Sequence, residues 1–358
     1  MNGLEVDVTV RRGALTVSAA FSVGEGERIA VLGANGAGKS TLLGAIGGSI
    51  APASGTVMLG GRMLDGPGVR LRPDERAVTM LDQKPRLFPH LDLAGNIAFG
   101  PRARGVSRAE AHRIAAAWLR RFELEDRARA RPEQLSGGQQ QRIAIARAFA
   151  AAPRLLLLDE PFAALDAASV PDIRTLLVAE VERARMTSIL VTHDLADAWQ
   201  WASRCVVIDG GEVVADASPT ELAEHPGHPF TAALAGFGVV WGVWDGAGIV
   251  IDGHRMPATA EVAIAHQAPV FGVAAPRAVQ IVAEGTADAV PGTVVDIALY
   301  AGTARVRHSS GLIAEIDPSR HPIPRAGERL WVRAASLRAL PAPVARPGAA
   351  SAEREVRE

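Results

Sequence analysis

Short apolar runs alternate with amphipathic segments over the first two thirds of the chain. Three of these runs, ERIAVLG, RLLLLDE and TSILVTH, are rich in leucine or β-branched residues and end in a polar residue or a glycine. This pattern predicts buried strands separated by helices, as in an α/β domain with a largely parallel sheet. Active sites of such sheets lie beyond the carboxyl ends of the strands. The residues that end these three runs are therefore candidates for chemistry.

The pattern changes twice further along the chain. From about Ser107 to Ala151 the sequence is helical and rich in alanine and arginine, which predicts a helical subdomain at about residues 85–150 within a first domain of residues 1–235. The segment PTELAEHPGHPFTAAL predicts a last helix and a proline-broken link. Residues 236–340 hold short alternating strands with glycine turns, which predict a small all-β, OB-like domain. Residues 341–358 cannot bury a core, so we expect a disordered tail.

Composition narrows the class of protein. The 358 residues give room for two domains, and 48% hydrophobic and 22% charged residues are typical of a folded soluble protein. A net charge of -1 predicts no general attraction to nucleic acid or anionic lipid. We expect no signal peptide, and the uncharged stretch at residues 230–244 is shorter than the roughly 20 residues of a spanning helix. The single cysteine, Cys205, excludes an internal disulfide and is predicted to be an inert core residue.

A glycine-rich segment, GANGAGKST, follows the first of the three strands and precedes a predicted helix. It matches the phosphate-loop pattern, in which glycines let backbone N–H groups turn toward phosphate oxygens at a helix N-terminus. Lys39, one of only two lysines in the chain, would supply positive charge, and the Ser40 hydroxyl would bind Mg²⁺. The candidate nucleotide-binding residues here are Gly33, Asn35, Gly36, Gly38, Lys39, Ser40 and Thr41.

The second strand, RLLLLDE, ends in two carboxylates, Asp159 and Glu160. A buried strand that delivers two carboxylates to its end is costly unless they meet a cation or a reacting water. We therefore expect Asp159 to bind Mg²⁺ and Glu160 to polarise an attacking water. The third strand ends in VTHD, which places His193 as a further candidate at the same edge of the sheet.

The segment LSGGQQQR, Leu135 to Arg142, precedes a helical run. Ser136 suits a helix N-cap, so the glycines after it lie at a bare helix N-terminus. Together with the phosphate loop and the carboxylate pair, this segment is similar to the signature of the ABC ATPases, and the resemblance covers roughly Leu4 to Gly236. It implies ATP and Mg²⁺ as cofactors. It also implies a homodimer, because in that family the signature binds the γ-phosphate of ATP held by the opposite subunit; here those residues are Ser136, Gly137, Gly138 and Gln139.

Other segments match the family's motifs in order. Gln83, in MLDQKPRLFPHL, resembles the glutamine loop, which contacts Mg²⁺ and senses a membrane partner. Asp166, in ALDAAS, matches the loop that communicates across the dimer, and His193 matches the switch histidine that contacts the γ-phosphate. The resemblance thus implies Glu160, His193 and Gln83 as catalytic residues, and it implies Ser40, Gln83 and Asp159 as the metal site.

One departure from the family concerns the nucleobase. Family members often carry an aromatic residue upstream of the phosphate loop that stacks on adenine, whereas this region reads VTVRRGALTV. Arg11 or Arg12 could cover the base through a cation–π contact. The alternative is two solvated charges, so the choice between ATP and GTP is left open by this region.

The domain order resembles that of importers for oxyanions, sugars, iron or polyamines. The segments DGPGVRLRPDERAV and RLFPHLDLAGNIAFG look most like the ATPase of molybdate importers, and the β domain resembles a TOBE/Mop-type accessory barrel. This implies a peripheral subunit at the cytoplasmic face of the membrane, with an integral membrane permease dimer and an extracytoplasmic substrate-binding protein as partners. Sulfate or thiosulfate, iron and polyamines are alternative cargoes. The string SSGL, Ser309 to Leu312, favours a hairpin turn over an anion site.

Two other classes of protein match parts of the sequence less well. Non-transport ABC ATPases that act on ribosomes or DNA usually carry two nucleotide domains or a long coiled coil, whereas this chain has one phosphate loop and no sustained heptads. An oligonucleotide-binding barrel would need stacking aromatics, and only Tyr300 and Trp331 are candidates, so no nucleic-acid partner is expected. The arginines that could form a nucleic-acid-binding face of such a barrel are Arg305, Arg307, Arg329, Arg333 and Arg338.

Overall fold

The computed structural model describes residues 3–166, 168–300 and 302–343, with only the backbone of Tyr300. Its internal contacts divide the chain into two units, Met1–Pro219 and Thr220–Glu358, a division that falls earlier than the predicted boundary after residue 235. Of the predicted tail, residues 344–358 lie outside the described part. None of the helices in the described ranges has the length and apolar character that crossing a bilayer requires.

The first unit combines one sheet with six helices in its described residues. Its strands are β1 Leu4–Arg12, β2 Leu15–Val23, β3 Arg28–Gly33, β4 Ser54–Leu59, β5 Arg62–Gly66, β6 Val69–Arg70, β7 Val78–Leu81, β8 Leu155–Asp159, β9 Thr187–Thr192, β10 Arg204–Asp209 and β11 Glu212–Ala217. Its helices are α1 Lys39–Gly47, α2 Leu93–Ala103, α3 Arg108–Arg121, α4 Gly137–Ala150, α5 Val170–Ala184 and α6 Leu195–Trp201.

The sheet has 11 strands in the order β6-β5-β4-β1-β2-β11-β10-β3-β9-β8-β7. The three strands predicted from the apolar runs, β3, β8 and β9, are neighbours and run parallel, as do β10 beside β3 and β7 beside β8. The expectation of a largely parallel sheet holds only for this half. Strands β1, β2, β4, β5 and β6 pair antiparallel because short turns connect most of them directly.

Burial follows the sequence pattern in both halves of the sheet. In β1 and β2 inward and outward residues alternate, so one face packs on the core and one is exposed. Every residue of β9 is buried, as are Leu155–Leu158 of β8, and helices α1 and α6 pack against these strands. Cys205 is also buried in β10, and burial raises the pKa of its thiol to about 12.

Three helices form the predicted helical region. Helix α2 begins after Asp92, whose carboxylate accepts a hydrogen bond from Gly95, and α3 begins after Ser107, whose hydroxyl accepts one from Glu110. Trp118 of α3 contacts the ring of Phe149 in α4 at a centroid distance of 5.6 Å. This ring contact fixes α3 against α4.

The C-terminus of α1 is capped by an arginine that is completely buried. The Arg76 guanidinium donates to the carbonyl oxygens of Ala45 at 3.0 Å, Ile46 at 3.1 Å and Leu71 at 2.9 Å, and to the carboxylate of Asp65 at 2.7 Å. The side chain of Arg76 is 0% exposed. A cation at a helix C-terminus satisfies its free carbonyls and complements the helix dipole. Arg76 therefore holds the far end of the helix that starts at the phosphate loop.

The second unit is built mainly from strands, and two short helices, α7 Pro219–Glu224 and α8 Pro229–Leu234, lie at its start. Its described strands are β12 Gly238–Trp244, β13 Gly248–Ile251, β14 His254–Pro257, β15 Thr259–Ala260, β16 Pro269–Ala274, β17 Val279–Val282, β18 Val290–Tyr300, β19 Thr303–His308, β20 Ile313–Ile316, β21 Arg329–Ala334 and β22 Arg338–Pro341. They form a sheet of order β14-β13-β12-β16-β22-β15 and another of order β17-β21-β18-β19-β20. The predicted fold class, an α/β ATPase-like fold followed by an all-β region, is confirmed.

Candidate active site

The phosphate loop lies between β3 and α1, and steric contacts explain two of its glycines. A Cβ atom at Gly33 would lie 2.5 Å from the carbonyl oxygen of Ile208. Gly38 has a φ of 103°, and a Cβ there would lie 2.3 Å from Cγ2 of Val17. A side chain at Gly33 would collide with the backbone of β10, and one at Gly38 would collide with the side chain of Val17 in β2. Asn35 and Gly36 are exposed at the tip of the loop.

Helix α1 begins without a side-chain cap, since its N-cap residue is Gly38. The amides of Lys39, Ser40 and Thr41 therefore belong to the helix turn whose N–H groups have no intrahelical acceptor. Free N–H groups together with the helix dipole favour a bound anion. Thr41 is buried, whereas Ser40 is exposed toward the carboxyl end of the sheet.

Lys39 is folded into the loop that it follows. Its Nζ donates to the carbonyl oxygens of Gly33 at 2.8 Å and Ala34 at 3.0 Å, and it lies 3.9 Å from Oε1 of Glu160. Only 5% of the side chain is exposed. Burial lowers the pKa of Lys39, an effect that the carboxylates of Glu160 and Asp159 oppose. A positive charge is thus held beside the free amides of α1.

The ends of the neighbouring strands β8 and β9 bring two carboxylates and a histidine to the same place. The Ser40 hydroxyl donates to Oδ1 of Asp159 at 3.1 Å, and Nδ1 of His193 lies 3.4 Å from Oε1 of Glu160. Burial raises the pKa of the Asp159 carboxyl, and the charge of Glu160 adds to this effect while the Ser40 hydroxyl opposes it. Five of the predicted residues therefore converge: Lys39, Ser40, Asp159, Glu160 and His193.

Glu160 adopts a backbone conformation that is unusual for a residue with a side chain. Its φ is 45°, in the left-handed region, and its amide donates to the carbonyl oxygen of Val191 in β9 at 3.0 Å. Non-glycine residues rarely adopt this conformation, and where they do the strain often belongs to a functional site. The conformation turns the chain so that the Glu160 carboxylate lies between Lys39 and His193.

The signature-like residues form a second cluster at the start of α4. Ser136 caps the helix through a reciprocal pair of hydrogen bonds with Gln139, at 3.3 and 3.1 Å. Ser136 and Gly137 are exposed, and a Cβ at Gly138 would lie 3.3 Å from the Ser169 hydroxyl. In the described chain, no hydrogen bond or ion pair connects Ser136–Gln139 to the phosphate loop.

Asp166 lies in the turn beside this second cluster and is exposed. Its carboxylate accepts hydrogen bonds from the amide of Ser169 at 2.9 Å and from the Ser169 hydroxyl at 2.8 Å. These hydrogen bonds lower the pKa of the Asp166 carboxyl. The structure thus groups Asp166 with the signature-like residues and away from the phosphate loop.

Gln83 follows β7 and is exposed, and no side-chain hydrogen bond is recorded for it among the residues described. Its neighbour Asp82 is the one that affects the carboxylate cluster, because the charge of Asp82 contributes to the raised pKa of Asp159. Arg147 of α4 anchors the loop that follows Gln83, because it donates to the carbonyl oxygens of Pro85 at 3.1 Å and Arg86 at 2.9 Å. The role predicted for Gln83 at the metal site therefore stays a prediction.

The region expected to meet the nucleobase lies beside the phosphate loop. Arg11 and Arg12 are exposed at the end of β1, and the first residues of β2 pack against the loop. A Cβ at Gly38 would lie 3.5 Å from Cδ2 of Leu15, which is half-buried. The sequence carries no signal that Leu15 lies beside the loop, because an aliphatic residue in a strand looks like ordinary core.

Two buried or half-buried residues near the site were also missed. Arg147 and Gln141 both lie on α4, where an arginine and a glutamine look like parts of a solvated helix face. Their partners lie far away in sequence: Gln141 donates to the carbonyl oxygen of Pro161 at 2.9 Å. A local pattern carries no signal for such contacts.

In the second unit, the serines of the SSGL turn and two of the candidate arginines bond to nearby residues of the same unit. In the SSGL turn, the Ser310 hydroxyl bonds Nδ1 of His308 at 2.8 Å, and the Ser309 hydroxyl accepts from the amide of Thr293 at 3.0 Å. Arg333 donates to Gln280 at 3.0 Å, and Arg338 lies 3.6 Å from Glu261. These hydroxyls and charges stabilise turns and neighbouring strands.

The donor set of the first cluster suits Mg²⁺ that arrives with a nucleotide. One hydroxyl and one carboxylate, Ser40 and Asp159, already lie in hydrogen-bond contact. Within the described ranges no group of three or more His, Cys, Asp or Glu side chains is arranged to hold a metal ion alone. Mg²⁺ in nucleotide sites typically takes one or two protein ligands and completes its shell with phosphate oxygens and water. The residues therefore fit a metal–nucleotide complex.

Comparison with known proteins agrees with this geometry. A family model described as "ABC transporter" matches residues 17–163. The chain is 45% identical over 228 residues to the Molybdenum import ATP-binding protein ModC of Mycobacterium tuberculosis, and the match covers 62% of this chain and 62% of that protein. It is 37% identical over 327 residues to the Fe(3+) ions import ATP-binding protein FbpC 1 of Rhodococcus jostii, over 87% of this chain and 90% of that protein.

A solved structure shares the fold of the first unit. It is a dimeric structure of a post-hydrolysis state of the ATP-binding cassette MJ0796 bound to ADP and Pi. The TM-score is 0.52 at 32% sequence identity, over 61% of this chain and 99% of that one. Because the similarity to FbpC 1 extends over most of both chains, the chain described here belongs to the import-type ATP-binding proteins of the ABC transporter family.

Proposed function

We propose that this chain is the ATP-hydrolysing subunit of an ABC importer and that it works as a homodimer on a separate membrane permease. One observation carries the proposal: Lys39, Ser40, Asp159, Glu160 and His193 converge at the uncapped N-terminus of α1. Phosphoryl transfer to water requires a cation, free amides, a metal-binding pair and a carboxylate–histidine pair.

The free amides of α1 and the Lys39 ammonium group would bind the β- and γ-phosphates. Lys39 is now held by two carbonyl oxygens of its own loop, at 2.8 and 3.0 Å, so a phosphate can replace neutral acceptors with charged ones. Ser40 and Asp159 would hold Mg²⁺, and the metal would supply neutralisation of charge on the phosphate oxygens. Gly33, Asn35, Gly36, Gly38 and Thr41 would line the same cradle.

Glu160 is placed to accept a proton from the water that attacks the γ-phosphate. The carboxylate lies 3.9 Å from Nζ of Lys39, so its orientation is set by the cation that also faces the phosphates. His193, with 58% of its side chain exposed, lies 3.4 Å from the same carboxylate oxygen and can turn toward the γ-phosphate. In this proposal Glu160 moves the proton and His193 keeps Glu160 and the water aligned.

The signature-like cluster supports a dimer. Ser136 and Gly137 present an exposed helix N-terminus, and no recorded bond among the described residues connects that cluster to the chain's own phosphate loop. A second copy could bring its phosphate loop to this surface and complete both sites. The ATP-binding cassette MJ0796 is dimeric in its structure with ADP and Pi, which is consistent with this proposal. Gly138, Gln139 and Asp166 would lie at the same interface.

The membrane partner would dock beside Gln83. This residue is exposed, and Arg147 ties the loop after it to α4. Closure of the dimer would move α4 and the loop together, so the exposed Gln83 region can pass that motion to a permease dimer. We therefore place the subunit at the cytoplasmic face of the cell membrane, with an extracytoplasmic binding protein that delivers the cargo.

Molybdate is the proposed cargo. The relative named for molybdenum import shares 45% identity over 228 residues, and the relative named for Fe(3+) import shares 37% over 327 residues. Iron, sulfate or thiosulfate, and polyamines are the alternatives. Residues 1–235 would form the nucleotide-binding domain, with its helical subdomain at about 85–150. Residues 236–340 would form a TOBE/Mop-type domain.

The catalytic proposal is tested with Glu160→Gln. The amide keeps the shape of the side chain and removes its basicity, so ATP should bind with near wild-type affinity while kcat falls by about 10²–10⁴-fold. Light scattering should show an ATP-dependent dimer of this variant. Glu182→Gln is the matched control, since Glu182 is 57% exposed and, within the described residues, forms a surface ion pair with Arg28. Wild-type turnover by Glu160→Gln would refute the assignment.

The cargo is tested in the assembled transporter. The chain is co-purified with its permease, reconstituted in liposomes and given the binding protein loaded with molybdate, sulfate, Fe³⁺ or putrescine. Stimulation of ATP hydrolysis by the molybdate-loaded protein alone is the expected result. If the binding protein stimulates hydrolysis only when it carries sulfate, Fe³⁺ or putrescine, the cargo is reassigned and the ATPase proposal stays intact.

A further inference from the structure

A single buried amide connects α4 to the backbone next to Glu160. The side chain of Gln141 belongs to a residue that is only 1% exposed, and its Nε2 donates to the carbonyl oxygen of Pro161 at 2.9 Å. Its Oε1 has no hydrogen-bond partner among the residues that the structure describes. A buried amide with an unmet acceptor is destabilising compared with an apolar side chain of the same length. Packing alone therefore does not explain a glutamine at this position.

The carbonyl that Gln141 holds belongs to the residue directly after Glu160. Glu160 itself is in the left-handed region at a φ of 45°, and its amide is held by Val191 at 3.0 Å. The ring of Pro161 restricts the next φ. The backbone of Glu160 is thus fixed by β9 on one side and by Gln141 on the other. If the second contact is removed, the strained conformation has less to hold it and the carboxylate can turn away.

The other end of this connection is the signature-like cluster. Helix α4 starts at Gly137, so Gln141 lies about one turn after the exposed residues Ser136 and Gly137. A helix transmits displacement along its axis because its hydrogen-bonded turns are stiff. A shift of the first turn of α4 is therefore passed through Gln141 to the Pro161 carbonyl.

We propose that Gln141 is a positioning residue that couples the two nucleotide sites of the dimer. The inference rests on the proposed function, in which the first turn of α4 binds the nucleotide held by the second copy. A nucleotide at one interface would pull on α4, and Gln141 would adjust Glu160, which serves the nucleotide on the chain's own phosphate loop. Hydrolysis should then depend on ATP concentration with positive cooperativity, because each site is aligned by the occupation of the other.

The test compares Gln141→Met with Gln141→Asn in the full-length chain. Methionine keeps the length and removes the donor, so the fold should be as stable as wild type or more stable. Asparagine keeps the amide but cannot reach Pro161, so the fold should be less stable. Both variants should lower kcat at least tenfold with KM for ATP within twofold, and both should bring the Hill coefficient close to one. Gln280→Met, an exposed site in β17, is the control for the replacement itself.

The outcomes separate this inference from the proposed function. The coupling role is refuted if Gln141→Met keeps wild-type kcat and cooperativity. It is also refuted if kcat follows the melting temperature, so that only Gln141→Asn is slow. In both cases, ATP turnover by the wild-type chain would still support the ATPase proposal. If the wild-type chain neither binds nor hydrolyses ATP, both proposals are overturned. Loss of kcat in both variants with opposite changes in melting temperature is the supporting result.

Discussion

Replacing Arg76 by methionine should destabilise the first unit more than any surface change. The guanidinium is 0% exposed, and its hydrogen bonds reach Asp65 at 2.7 Å and the carbonyls of Ala45 and Ile46 at 3.0 and 3.1 Å. Methionine fills much of the volume and leaves the Asp65 carboxylate buried without its partner. Breaking a buried ion pair in this way costs about 3–5 kcal/mol. For a unit of this size the melting temperature should fall by roughly 6–20 °C.

A second substitution separates the ion pair from the helix cap. In Arg76→Met with Asp65→Leu, the uncompensated carboxylate is gone, so the double variant should be more stable than the single one. It should still lie about 1–3 kcal/mol below wild type, because the carbonyls at the end of α1 have lost their donor. Asp65→Leu is therefore expected to stabilise the Arg76→Met variant.

Urea denaturation of the full chain measures both variants. Tryptophan fluorescence follows the unfolding of both units, with Trp118, Trp199 and Trp201 in the first one, and hydrogen exchange with mass spectrometry localises the change to the amides of α1. Two results would refute the reasoning. One is a loss below about 1 kcal/mol for Arg76→Met. The other is a double variant that is less stable than the single one.

Three further predictions concern the site itself. Asp159→Asn should raise the melting temperature of the nucleotide-free chain near neutral pH, because burial raises the pKa of this carboxyl and so penalises its ionised form. The gain should vanish below about pH 4, where the carboxyl is protonated in both states; calorimetry across pH checks this, and a pH-independent difference would contradict it. Ser136→Arg should leave ATP binding to the monomer unchanged and lower hydrolysis at least tenfold, and equal losses in binding and turnover assays would show a merely structural segment. Gly38→Ala should lower the melting temperature more than Gly61→Ala, since both have positive φ but only the first meets a neighbour at 2.3 Å; equal shifts would disprove the steric argument.

The sequence predicted which residues of the candidate site lie close together, because each part of that cluster is local. Strand β3 and the phosphate loop are contiguous, as are β8 with Asp159 and β9 with His193. Three parallel neighbouring strands end at one edge, so placing each residue at a strand end was enough to bring the cluster together. The contacts of Ser136 with Gln139 are likewise contained in one helix turn.

Features that depend on distant partners were not predicted. Alternation in β1 and β2 indicates strands, but it does not say which neighbour each will pair with, so the antiparallel half of the sheet was missed. Arg76 stands in the polar run RPDERAV, where an arginine is normally solvated, and it is buried only because the end of α1 lies against it. Gln141 was counted with the signature string, whereas its partner Pro161 lies beyond the end of α4.

The buried thiol of Cys205 has a practical consequence for labelling. At neutral pH a thiol with a pKa of about 12 has almost no thiolate, which is the form that reacts with maleimides, and β10 also shields it from reagents. Cys205 therefore does not have to be replaced before a new cysteine is introduced for fluorophore attachment. A cysteine introduced at exposed Asn35 and another at exposed Ser136 could carry a donor and an acceptor dye, and energy transfer between two copies would follow their approach in real time.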